Sequence, residues 1–105
     1  MVGVDHPLVP MPHHYLVTDD IPQVAAIDGL MAAVTDLEGF TYLQREGNGV
    51  LLGVYEQNPR HWEVQGAPWD FGRTLFPEEI DRISRELSIA FERFPVLQDV
   101  GIKRW

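Results

Sequence analysis

Four histidines, at positions 6, 13, 14 and 61, and three tyrosines, at 15, 42 and 55, are the side chains of this sequence best suited to moving protons near neutral pH. Imidazole titrates in that range, and a phenol hydroxyl both donates and accepts hydrogen bonds. The histidines form no metal pattern, since none has a ligand partner at helical i, i+4 spacing, and no metal is expected. The chain has no cysteine, which excludes thiolate nucleophiles, disulfide scaffolds and cysteine-ligated zinc. It also lacks G-x-G-x-x-G, P-loop, G-x-S-x-G and H-E-x-x-H runs, so self-contained dinucleotide binding, acyl transfer and metal-dependent catalysis are weak readings. On residue type alone, His13 reads first as a strand histidine bonded to a backbone carbonyl.

The elements that must position these side chains are largely β. Prolines at 7, 10 and 12 keep the lead-in extended. HHYLVT, 13–18, is rich in strand formers and is closed by Asp19, Asp20 and Pro22. Strand alternation places His13 and Tyr15 on one face and His14 on the other, where His14 is expected to be structural. Residues 22–33 carry alanine and leucine but have a glycine at 29, so any helix there is short. FTYLQRE (40–46) and VLLGVYE (50–56) flank Gly47-Asn48-Gly49 and read as a hairpin, with Val34-Thr35-Asp36 as a third strand beside it. If these strands are adjacent and in register, Tyr15, Tyr42 and Tyr55 line one cavity; packing on the sheet is the plainer role, above all for Tyr55.

From Gln57 to Gly72, prolines and glycines predict an irregular loop anchored by Trp62 and Trp69. PEEIDRISRELSIAFERF, 77–94, repeats apolar residues at intervals of three and four, which predicts an amphipathic helix. Pro77 suits its first turn and Pro95 its stop. Glu78 with Arg82 and Asp81 with Arg85 are spaced to pair as solvated charge on its outer face. VLQDVGIKRW then begins a further strand. The expected class is α+β, an antiparallel sheet with one long amphipathic helix, about 77–94, packed on one face.

At 105 residues the chain suits one domain, 1–105. Sixteen acidic against eight basic side chains give a formal charge of −8, which repels polyanions, so nucleic acid is not an expected partner. No apolar run is long enough to span a membrane and no export signal opens the chain.

Four blocks carry more specific information: PLVPMPHHYLVTDDIP, VTDLEGFTYLQREGNGVLLGVYEQNP, WDFGRTLFPEEIDRI and FPVLQDVGIKRW. In order and approximate spacing they resemble the middle of dimethylglycine and sarcosine dehydrogenases, within the D-amino-acid-oxidase-like flavoproteins. The resemblance runs from about Gly3 to Lys103. It implies a partial substrate-binding domain whose sheet lies across the reactive face of FAD, with the FAD-binding Rossmann part absent. His13 stands where the family has the histidine of an H-Q-Y-L-V-T segment, and Tyr42 where it has a tyrosine before the hairpin. The resemblance implies that these two are the catalytic residues, orienting an amine and managing its proton. His14 replaces the family's usual glutamine.

Tyr15 and Arg45 are the candidates for binding substrate. Arginine suits a carboxylate because its planar fork binds it bidentately, although alternation puts Arg45 on the face opposite Tyr42. Thr35 stands where many relatives carry arginine.

The expectation is a fragment of an FAD-dependent oxidoreductase acting on N-methylated glycines, with FAD belonging to the parent and not retained by this chain, which alone is inactive. The alternative is a stand-alone binding or assembly module derived from that domain. The expected partners are a small-molecule amine in the parent and, at the exposed sheet face, either the missing FAD-binding domain or a second copy. The expected location is cytoplasmic, or the mitochondrial matrix for a eukaryotic parent.

Overall fold

The strands YLVT, VTD, TYLQRE and GVLLGV, together with Ile102–Arg104, assemble into one antiparallel sheet, the first of them two residues shorter than HHYLVT suggested. A computed structural model describes residues 3–105; Met1 and Val2 of the lead-in lie outside the described residues. The elements are β1 (Tyr15–Thr18), α1 (Pro22–Ala25), β2 (Val34–Asp36), β3 (Thr41–Glu46), β4 (Gly49–Val54), α2 (Ile80–Arg93), a 3-10 turn (Pro95–Asp99) and β5 (Ile102–Arg104). The five strands run in the order β2-β3-β4-β1-β5, every neighbouring pair antiparallel. The class is therefore α+β, as the pattern of strands followed by a helix requires.

The β3–β4 register fixes everything else. Glu46 pairs with Gly49, leaving Gly47 and Asn48 as a two-residue turn, with Gly47 at φ 62°. Positive φ at the first turn position costs glycine little and matches the twist of the flanking strands. The turn is one residue shorter than Gly47-Asn48-Gly49 suggested, because Gly49 joins the ladder.

Alternation then sorts the side chains. Leu16, Leu52 and Leu43 pair across three strands and face the helices, where they meet Ile83, Leu87 and Ala90 of α2 and Val24 of α1 in one buried cluster. Full burial of such a side chain contributes roughly 1.5–3 kcal/mol, so this layer supplies most of the stability. Among the described residues both helices contribute to this core, and neither lies across the opposite face.

α1 covers only Pro22–Ala25, the first part of the expected segment. α2 starts at Ile80, three residues later than the sequence pattern suggests. Pro77 lies outside it, because Glu79 sits at φ −126° and ψ 59° and its backbone N–H is taken by a side chain from the other end of the molecule. The pairing of Glu78 with Arg82 is likewise overturned: Arg82 turns inward, its side chain 8% exposed. Trp62 anchors the 57–72 loop by packing on Phe71 and Phe76 and donating its backbone N–H to the Pro10 carbonyl. Trp69, 82% exposed, does not share that anchoring role.

Candidate functional site

On the face turned away from α2, Tyr15, Gly53, Tyr42 and Thr35 stand directly opposite one another on β1, β4, β3 and β2. Glycine in this row lets the neighbouring aromatic ring lie over the strand. A Cβ at Gly53 would fall 1.9 Å from Cζ of Tyr42, so the Tyr42 ring occupies that space. The His13 ring is parallel to the Tyr42 ring within 5°, with centroids 6.4 Å apart, and Tyr55 lies on the other ring contact at 5.4 Å. Parallel or offset rings at 4.5–7 Å attract modestly beyond their buried area. His13 and Tyr42 thus share one region of the open face.

A cavity of about 420 Å³ adjoins this group, formed between Pro12, His13 and Tyr15 on one side and Trp62, Phe76 and Trp105 on the other. Apolar walls with a few convergent polar groups are the usual form of a small-molecule site. Tyr15 therefore belongs to both the Gly53 row and the cavity wall. Arg45 does not join them. Its guanidinium donates to the carbonyls of Ile27, Gly29 and Gly47, at 2.9, 3.1 and 2.9 Å, and so holds the 27–29 segment against the hairpin turn. Among the described residues no cluster of histidine, aspartate or glutamate could hold a metal ion.

Behind His13, on the helix side, lies a polar network that sequence reasoning did not assemble. His14 Nδ1 is 2.7 Å from Glu56 Oε1, and the His14 backbone N–H donates to the same oxygen at 2.8 Å. The other oxygen of Glu56 accepts from Arg82, which also pairs with Glu79 at 3.0 Å and donates to the Asn58 carbonyl at 3.2 Å. The side chains of His14, Glu56 and Arg82 are only 10%, 3% and 8% exposed, so their charges and polar atoms depend on one another. Arg60 closes the outer end by pairing with Glu79. Burial works to raise the Glu79 carboxyl, but the charges of Arg60 and Arg82 and their hydrogen bonds outweigh it and hold it below its ordinary value of 4.5.

One signal could have exposed this network. Continuing the alternation of β4 past Val54 sends Glu56 to the buried face, and a carboxylate there demands a cation. Arg82, flanking Ile83 on the apolar stripe of α2, is that cation.

No protein-family model matches the chain. Dimethylglycine dehydrogenase, mitochondrial, of Mus musculus is 42% identical over 107 residues, taking in 97% of this chain and 12% of the relative. The Homo sapiens protein of the same name is 38% identical over 107 residues. Sarcosine dehydrogenase, mitochondrial, of Mus musculus is 37% identical over 103 residues, covering 98% of this chain and 11% of the relative. The chain thus spans about one eighth of the length of the curated relatives it matches. With that identity across almost all of its length, the chain belongs with the dimethylglycine and sarcosine dehydrogenases as a segment of that enzyme type.

Proposed function

We propose that this segment forms the substrate side of an FAD-dependent oxidoreductase that acts on N-methylated glycines, dimethylglycine or sarcosine. The single observation that carries the reading is the His13–Tyr42 stack over Gly53 on the sheet face that neither helix covers. Hydride loss from an N-methyl group requires a neutral nitrogen with a free lone pair. His13 takes the ammonium proton, and the Tyr42 hydroxyl orients the nitrogen by a hydrogen bond. Tyr15 supplies a further contact from the cavity wall. Arg45, bonded to backbone carbonyls on the other side of the sheet, has no part in this scheme.

A flavin, when bound, supplies the hydride acceptor. The residues present suit contact with a flat ring, since His13, Tyr42 and Tyr55 present aromatic surface on that face. They do not suit retention of the dinucleotide, whose phosphates would meet a chain of formal charge −8 without a glycine-rich phosphate loop. The remaining length of the parent is where that group would be held. The word mitochondrial in the relatives' names supports a matrix location; among the described residues no helix is long and apolar enough to cross a membrane.

The test is a graft in which this chain replaces its counterpart in mouse dimethylglycine dehydrogenase, followed by dye reduction with dimethylglycine and with sarcosine. Turnover by the graft, lost by about a hundredfold or more in His13→Ala or Tyr42→Phe, is the expected result. Full activity in both variants would end the assignment. The second reading, a binding or assembly module without catalysis, is favoured by the same uncovered face, which a second copy could bury. It predicts a colourless, stable dimer of the purified chain and an inactive graft.

A further inference from the structure

His14 borders the same cavity as His13 but makes no ring contact with Tyr42, and all of its polar atoms are engaged within the protein. Its backbone N–H goes to Glu56 Oε1, its carbonyl accepts from Val54 N–H at 3.3 Å, and its Nε2 accepts from the Glu79 backbone N–H at 3.2 Å. An acceptor at Nε2 places the ring hydrogen on Nδ1, where Glu56 Oε1 receives it at 2.7 Å. The approach of Arg82 Nη2 to Nδ1, at 3.3 Å, is then a contact between two donors and adds no bond. Arg82 acts instead by fixing the other oxygen of Glu56. Three segments far apart in sequence are joined through one imidazole: the lead-in, the end of β4 and the start of α2.

We propose that His14 is a positioning residue, which through Glu56 and the Glu79 backbone fixes the chain at residue 13 and so keeps the His13 ring stacked on Tyr42. The need for such a device follows from topology. His13 precedes β1, whose paired register with β4 begins only at Tyr15↔Gly53, and its own side chain is exposed. One main-chain bond, from Val54 N–H to the His14 carbonyl, carries the ladder one residue further, and no strand pair reaches His13 itself. Adjacent residues point to opposite sides of an extended chain, so locking the His14 ring on the buried side commits His13 to the open side. Residues locked by hydrogen bonds behind a site are what hold reacting groups to within tenths of an ångström. The catalytic meaning of the lock rests on the function proposed above; its geometry does not.

The experiment uses the whole chain without flavin. Nuclear Overhauser contacts between the His13 and Tyr42 rings are measured in wild type, in His14→Ala and in Val24→Ala, the last a core variant chosen as a control for lost stability alone. The contacts are expected to vanish in His14→Ala and to persist in Val24→Ala. Their survival in a folded His14→Ala would overturn the proposal. Should that variant not fold, His14→Leu takes its place: it keeps apolar bulk while removing both the bond to Glu56 and the acceptor for Glu79 N–H, and weakened contacts are expected, unchanged ones being contrary. In the grafted dehydrogenase, His14→Ala is expected to lower kcat about tenfold with little change in KM. Lost ring contacts with undiminished kcat would leave the positioning role standing and overturn the chemistry assigned to His13 and Tyr42.

Discussion

The Tyr42 ring occupies the space that a side chain at Gly53 would need, with a Cβ there falling 1.9 Å from Cζ and 2.3 Å from Oη. Gly53→Ala must therefore push the ring off its seat or move β3 away from β4. We expect a loss of about 1–3 kcal/mol in urea unfolding, the range for forcing an extra methyl group into packed space. The same substitution made in Tyr42→Ala should cost almost nothing, because the obstructing ring is gone. A double-mutant cycle reads the difference directly, and an equal cost in both backgrounds would contradict the placement of the ring.

The buried Glu56–Arg82 pair sets the second expectation. Removing one member leaves the other without its countercharge across the pair in a place 3% or 8% exposed, with only the His14 donors left to Glu56, or Glu79 and the Asn58 carbonyl left to Arg82. Arg82→Leu and Glu56→Leu are each expected to destabilise the chain by about 3–5 kcal/mol, with the double variant costing less than the sum. Loss of under about 1 kcal/mol in either single variant would mean that the pair is effectively solvated.

Glu79 gives a pH-dependent prediction whose sign is fixed by the direction of its shift. Its carboxyl is held below 4.5 in the fold, so its contribution to stability is present in full above that value and fades as pH falls through the lowered folded value. Urea midpoints of wild type and Glu79→Gln should differ at neutral pH, with wild type the more stable, and converge in acid. A gap that widened on acidification would reverse the assignment.

Local pattern made the sheet legible and non-local chemistry hid the rest. The strand Val34–Asp36, the hairpin about Gly47 and the opposite facing of His13 and His14 all follow from period two and turn residues. The start of α2 does not, because the donor that would mark its first turn, Glu79 N–H, is satisfied by His14, 65 residues away in sequence. The sequence pattern makes Arg82 an outer-face charge for the same reason: a spacing of four with Glu78 is visible in the sequence, while Glu56, which holds it, is brought near only by the fold. The proposed catalytic pair rests on family resemblance, since two aromatic side chains separated by two strands and a helix carry no spacing signal. Their stacking needs the strand order β3-β4-β1, with a glycine between them.

That row also offers a place where a carboxylate-binding cation could be introduced. Thr35 pairs with Tyr42 across β2 and β3, on the open face, at the position where the resembling sequences often carry arginine. The only arginine of β3, Arg45, is bonded to carbonyls on the far side and cannot substitute for it. A guanidinium introduced by Thr35→Arg would emerge beside the Tyr42 ring from an exposed edge strand, where a long charged side chain is tolerated without burial. A bidentate bond to the substrate carboxylate contributes about 1.5–3 kcal/mol, which in the grafted dehydrogenase corresponds to a KM for dimethylglycine lowered by roughly tenfold or more. Because the bond forms equally in ground and transition states, kcat should stay nearly constant. A neutral amine without the carboxylate should show no such gain, and an unchanged KM for dimethylglycine would place carboxylate recognition outside this row.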